Sequence, residues 1–292
     1  MNPLNPRRKM RILYVCQEIA PFVEDHPMGH VGRLLPKSMQ DRGREIRTFM
    51  PKFGSINERR HQLHEVIRLS GANIVVDDVD YQLLVKVASV PGVRMQVYFI
   101  DNEIFFQERG THYDYDTHQI YKNNADKIIF YAKSILETTK NLQWHPDIVH
   151  VIGWYGALLP LYIRKFFADE PYFSESKIVV SVYSHKEEDV KIDAHKLAKK
   201  IAFDQISSKD IRTIADVATI SNLYKLAIDY SDAIVCGDDE ISEPLKKFIQ
   251  KTDKPTIYHS YQPNMFDLYD QLYNEISTIV DADAGFFGPH SI

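Results

Sequence analysis

The chain has 292 residues, 44% hydrophobic and 26% charged, with a formal net charge of −5. That balance belongs to a globular protein and excludes disordered and collagen-like classes. The acidic balance also argues against a nucleic-acid binder, which usually carries a basic face.

Residues 1–8 lack a periodic pattern and are expected to be a flexible end. The first apolar run, Ile12–Cys16, is too short for the ~7–15-residue core of a signal peptide and reads as a buried strand. A helix over Val31–Asp41 and a second strand over Ile46–Met50 follow. Between residues 64 and 100 the pattern changes. His64–Leu69, Ile74–Asp78, Tyr81–Val90 and Val93–Ile100 are β-rich runs broken by Ser70-Gly71, Asp77–Asp80 and Pro91-Gly92, the signature of antiparallel hairpins. Helical stripes recur over Asp126–Thr139, Ala157–Phe167 and Leu223–Ser231. They alternate with strand runs Ile148–Ile152, Ile178–Tyr183, Ala233–Cys236 and Thr256–His259. A last helix over residues 264–277 has Met265, Leu268, Leu272 and Ile276 on one stripe and is expected to cap the domain. Residues 281–292 are Gly- and Asp-rich and are expected to fray.

Runs apolar on both faces, alternating with helices, predict an α/β fold. Its core is one doubly wound, mostly parallel, Rossmann-like sheet. A small antiparallel β meander is inserted at 64–100, and a single domain spans residues 9–280. No window reaches the ~20 apolar residues of a membrane span. The two cysteines, Cys16 and Cys236, sit in apolar runs and make no disulfide framework. A cytoplasmic protein that contacts no membrane is the expectation.

The motifs exclude more than they assign. No G-x-G-x-x-G follows the first strand, and no P-loop or G-x-S-x-G occurs. His26 and His30 lack the further ligands that zinc requires, and Asp114-Tyr115-Asp116, between His112 and His118, reads as a surface loop. No metal and no cofactor are expected. Adjacent Ser184 and His185 do not make a nucleophile–base pair. The charged stretch 184–200 reads as a solvated loop and helix face.

Five segments carry a family resemblance. They are Gln17–Phe22 with Leu35-Pro36-Lys37 and Phe49–Gly54; Trp144–Ile163; Lys177–Ser184; Asn123–Ile128; and Leu226–Val235. Together they resemble the N-terminal, acceptor-side domain of bacterial glycogen and starch synthases, glycosyltransferases of the two-Rossmann-domain GT-B type. The resemblance runs from about residue 11 to about residue 243 and implies the fold read above.

It also implies where ligand would sit. Glu18, Asn124, His150, Trp154 and Ser184 match or stand in for family motif positions at strand ends, where open α/β sheets bind ligands. Other motif positions are replaced. The family's K-x-G-G-L loop is Glu24–Met28, so that Glu24 takes the place of a lysine beside the donor phosphate. Asn123 replaces an aspartate. Tyr155 and Tyr183 replace histidines and cannot serve as cations at neutral pH. A synthase of this kind also needs a second Rossmann domain, for which the roughly 50 residues after Glu243 are too few.

The resemblance therefore implies a protein of glucan metabolism that is catalytically impaired alone, with no catalytic residue assigned. It would bind glucan (glycogen or starch) or a partner protein, and a nucleotide sugar is disfavoured. Two alternatives stay open. One is an active ADP-glucose-dependent glucosyltransferase working with a separate partner chain. The other is a protein-interaction module, because an exposed interdomain face marks a partner site and oligomers are compatible with it.

Overall fold

The computed structural model describes residues 8–185, 192–259 and 264–277. The expected ends at 1–8 and 281–292 lie, apart from Arg8, outside them.

β1 (Arg11–Cys16) leads into α1 (Met28–Asp41) and β2 (Glu45–Pro51), followed by a single turn, α2 (Glu58–His61). Five strands come next: β3 (His64–Glu65), β4 (Asn73–Val76), β5 (Val79–Gln82), β6 (Leu84–Ser89) and β7 (Gln96–Asp101). Helices and strands then alternate through α3 (Asn124–Asn141), β8 (Ile148–Ile152), α4 (Leu159–Lys165), β9 (Lys177–Val182), α5 (Ala194–Phe203) and α6 (Ile220–Asp229). The order ends with β10 (Ala233–Cys236), α7 (Glu243–Ile249), β11 (Thr256–Tyr258) and α8 (Met265–Ile276).

Nine strands form one sheet in the order β11-β10-β9-β8-β1-β2-β7-β6-β3, and β4 pairs with β5 in a separate hairpin. The large sheet is parallel from β11 to β7. All five residues of β8 are buried, as the apolar-on-both-faces pattern requires of a central strand covered by helices. The strand order reverses between β1 and β8: the chain builds outward through β2 and β7 on one side and through β9 to β11 on the other. Ligands bind at the carboxyl ends of strands beside such a switch point.

The expected antiparallel excursion is present, but it divides between two sheets. The run Tyr81–Val90 breaks at buried Leu83, so that β5 closes the hairpin and β6 enters the main sheet. β7 pairs parallel with β2 and belongs to the core. Residues 67–69 form a turn of 3-10 helix instead of continuing a strand. Alternating apolar residues say that a strand has a buried face; they do not say which neighbour it joins.

Two lysines are buried within α3, and each has a carboxylate. Lys127 pairs with Glu108. Lys133 Nζ lies 2.5 Å from Asp204, whose other oxygen accepts the Tyr162 hydroxyl at 2.7 Å. Buried charges persist only when paired in this way.

α8 also differs from its sequence pattern. Its buried residues are Met265, Tyr269, Leu272 and Tyr273, whereas Leu268 is exposed. The stripe turns by one residue because the two tyrosines have buried partners. Tyr273 lies 2.5 Å from His150 Nδ1 and accepts from Tyr14, and Tyr269 lies 2.8 Å from His259 Nδ1. A hydroxyl with a partner is buried at little cost, so hydrophobicity alone mislocates this face.

Candidate functional site

A cleft of about 600 Å3 opens at the carboxyl ends of β1, β9 and β10, beside the switch point. Four segments supply its walls. The β1–α1 loop contributes Glu18, Asp25, His26 and Pro27. The segment before α3 contributes His112 and Tyr113, and the strand ends contribute Ser184 and His185 after β9 and residues 238–240 after β10.

Glu18 lies two residues beyond β1 and is 2% exposed. Its Oε2 accepts the His26 backbone N–H at 2.9 Å. Burial disfavours the anion and raises the carboxyl to about 8, although this hydrogen bond and others favour the charged form. Gly29 and Gly32 bring α1 against this loop, since a Cβ at Gly32 would stand 2.5 Å from the Glu18 carbonyl. That close approach is why a glycine pair at this spacing opens a helix here, with no dinucleotide fingerprint required.

His26 enters the cleft from the same loop. Its ring meets Tyr183 edge-on at 5.5 Å and lies 5.3 Å from the ring of His185. Burial lowers its proton affinity, opposed by the charge of Asp238 and a hydrogen bond with the Ser184 backbone. His185 is pushed well below the ordinary histidine value by burial, with smaller contributions from His26 and His112.

Asp238 organises the far wall. Its Oδ2 accepts from both the backbone N–H and the hydroxyl of Ser184, each at 2.9 Å, and its Oδ1 accepts the Glu240 N–H at 3.0 Å. Ser184 is therefore bound to a carboxylate, while His185 faces Tyr224 at 3.4 Å. This agrees with discarding a Ser184–His185 pair.

Of the five residues expected to touch ligand, Glu18 and Ser184 line the cleft. Asn124 and Trp154 stand behind it. Asn124 Nδ2 donates to the His112 carbonyl at 2.8 Å, and the Trp154 ring packs edge-on against the His112 ring at 5.3 Å. His150 is elsewhere, enclosed between the sheet and α8, with Nε2 2.7 Å from the Ser181 hydroxyl. Burial holds its imidazole down at about 3. A motif position at mid-strand points into a layer, not to the strand end.

The replaced positions divide similarly. Glu24 is exposed and lies outside the lining, and the carboxylate on that wall is Asp25, which accepts the Tyr115 hydroxyl at 2.6 Å. Asn123 precedes α3 and lies 3.4 Å from Glu108. Tyr155 is fully buried against Phe53, Tyr131 and Trp154. Tyr183 lies flat on Gly237, where a Cβ would stand 2.3 Å from its ring. Gly153 has φ +91, and a side chain there would meet Gln17 and Met28 within 2.9 Å. The altered β1–α1 loop thus fills space that the end of β8 leaves.

Sequence reasoning missed Asp25, His26, His112, Tyr113, His185 and the 238–240 turn as cleft residues. They come from four separate loops, and no local spacing signals their convergence. Asp114 does behave as a turn residue, with Oδ1 accepting the backbone N–H groups of Asp116 and Thr117. Among the described residues no group of three histidine, cysteine or acidic side chains has the geometry to hold a metal. No described helix is long and apolar enough to cross a membrane.

Residues 11–250 match the family model described as the starch synthase catalytic domain. The glycogen synthase of Chlorobium limicola is 37% identical over 178 residues, 61% of this chain and 36% of that protein. The glycogen synthase of Chlorobium phaeovibrioides is 30% identical over 239 residues, 82% of this chain and 48% of that protein. The solved catalytic domain of Starch Synthase IV from Arabidopsis thaliana, bound to ADP and acarbose, aligns with a TM-score of 0.66 at 15% identity. That alignment covers 86% of this chain and 52% of that one, and it shows a shared fold. The chain spans about half, or less, of the length of these curated relatives.

Proposed function

Because this chain belongs to the starch synthase catalytic-domain family, we propose that it serves glucan metabolism in the cytoplasm as a glucan-binding domain, without transferring glucose from a nucleotide sugar by itself. The observation that carries this reading is the charge of the cleft. Among the described residues its lining holds five carboxylates, three histidines and a tyrosine, and no lysine or arginine.

A sugar nucleotide brings a diphosphate, and its transfer needs positioned cations where charge develops on the leaving group. Two like unit charges ~4 Å apart repel by about 4 kcal/mol at an effective dielectric of ~20. Asp25, Asp238, Asp239 and Glu240 set several such repulsions against the phosphates. Glu18 adds less near neutral pH, because burial keeps its proton on. A neutral glucan meets the opposite situation. Its hydroxyls are donors, carboxylates are acceptors only, and Tyr113 supplies an aromatic face.

Affinity electrophoresis and calorimetry test the reading together. Glycogen and maltoheptaose should retard or bind the chain, and millimolar ADP-glucose should give no heat. Incorporation of glucose from ADP-glucose into glycogen by the pure chain would overturn the impaired half. Absence of any glucan retardation would remove the other half. Incorporation only after host lysate is added would favour the alternative of a transferase completed by a partner chain.

A further inference from the structure

His26 reaches across the cleft from the β1–α1 loop, as Asp25 does toward Tyr115. His26 Nδ1 accepts the Met28 backbone N–H at 3.2 Å, which leaves the ring proton on Nε2. The ring packs on Tyr183 and, tilted by 32°, on His185. Tyr183 is backed by Gly237 and cannot retreat. His185 is braced by Tyr224, whose hydroxyl lies 3.4 Å from Nε2. The loop is thus fastened to the end of β9 by a hydrogen bond between His26 and the Ser184 backbone and by an imidazole–imidazole contact, and the latter suits two neutral rings and not two cations. A proton on Nδ1 would also abolish the acceptor that Met28 uses.

We propose that His26 and His185 form a proton-operated latch, closed while both rings are neutral and opened when they take up protons, so that the loop leaves the end of β9 and the cleft widens. The groups facing the pair are Glu18 and Asp25 on the loop itself, His112 and Tyr113 across the cleft, and Tyr224 from α6. Asp238, Asp239 and Glu240 face it from the end of β10.

Burial lowers the proton affinity of both rings in the closed form, and Asp238 and the Ser184 backbone oppose this at His26. In the open form the rings return to the ordinary value of about 6.5. At the histidines the closed form binds fewer protons, so closure is favoured above about pH 6.5 and lost as pH falls. Glu18 pulls the other way. Its buried carboxyl holds a proton up to about pH 8, and opening releases that proton, which favours closure on the acid side. Glu18→Gln removes this opposing titration and keeps an acceptor for the His26 N–H.

The consequence for ligand entry rests on the cleft being the binding site. The motion itself is measured without ligand, so failure of the latch and failure of glucan binding are separate results. Hydrogen exchange of the full chain carrying E18Q is compared at about pH 5.5 and about pH 7.5, corrected for intrinsic exchange. Peptides covering residues 19–30 should lose protection at the lower pH, while β8 stays protected. In E18Q/H185F, where only the His26 ring of the pair can titrate, the acid loss of loop protection should be smaller. Equal loop protection at both pH values in E18Q, or an undiminished acid loss in E18Q/H185F, overturns the latch. Should E18Q/H185F lose β8 protection, NMR titration of the wild-type rings decides. Midpoints of both His26 and His185 below about 6.5 support the latch, and midpoints at or above it overturn it.

Discussion

Two parts of this molecule combine histidine, tyrosine and serine, and they use them differently. Under α8, His150 has both ring nitrogens within hydrogen-bond distance of hydroxyls, those of Tyr273 and Ser181, and Tyr14 extends the network. Each of these residues except Tyr273 lies on a strand of the central sheet, and all are buried. At the switch point, His26, His112 and His185 come from loops, and carboxylates and a 600 Å3 opening surround them. The first arrangement is closed and satisfied, as a packing element must be. The second brings polar and acidic side chains to the wall of an opening, as a binding site must. The same residue types therefore carry opposite meanings, decided by whether strand or loop presents them.

The largest test of that contrast is His150→Ala. It leaves a cavity in a dry layer and strands the Ser181 and Tyr273 hydroxyls, so a loss of about 3–5 kcal/mol is expected in urea unfolding. The β1–α1 loop side of the cleft should tolerate the equivalent change better: His26→Ala should cost no more than about 1–2 kcal/mol. A reversed ranking breaks the comparison.

Gly237→Ala comes next. Its methyl overlaps the Tyr183 ring, and overpacking of this kind costs about 1–3 kcal/mol. Glucan affinity should fall with it, because Tyr183 supports His26. Retained affinity in calorimetry would show that the floor of the cleft does not shape its walls.

His150 and Glu18 should also contribute to stability with opposite pH slopes. The proton affinity of His150 is lowered on folding to about 3. The folded state therefore binds fewer protons there, and that contribution to stability is complete above about pH 6.5 and lost as pH falls toward 3. The Glu18 carboxyl is raised to about 8. The folded state binds more protons there, so that contribution is complete below about pH 4.3 and lost as pH rises toward 8. Urea midpoints measured across pH should show the rise-side loss vanish in Glu18→Gln, with the acid-side loss unchanged.

Glu24→Lys should have the smallest effect. The side chain is exposed and outside the cleft lining, so stability should move by less than about 0.5 kcal/mol and glucan binding should not change. A large gain in ADP-glucose binding from this one substitution would return the lost charge to the centre of the functional question.

Much of the scaffold could be read along the chain. Ile148–Ile152 and Ala233–Cys236 are strands with the expected bounds, and β1, β2 and β9 differ from expectation by a residue or so at their ends. A strand buried on both faces must be apolar at every position, and that signal is local. The site was read only in part. Glu18 and Ser184 fall in the cleft lining because strand ends at a switch point are predictable places. His150 was assigned to ligand because a matching motif position does not reveal whether its side chain points to a crevice or under a helix. Leu268 was counted in the buried stripe of α8 and Tyr269 was not, because periodicity weighs hydrophobicity and cannot see a hydroxyl's partner.

By itself, then, the sequence determined the α/β class, most core elements and the family, since these depend on residue type at short spacing. Only the tertiary structure decided that β6 and β7 join the main sheet while β4 and β5 do not. It alone decided that α8 turns its tyrosines inward, and that Asp25, His26, His112, His185 and Asp238 share one acidic cleft. Those outcomes depend on where distant segments meet, and charge in a cleft is a sum over loops that no single stretch of chain contains.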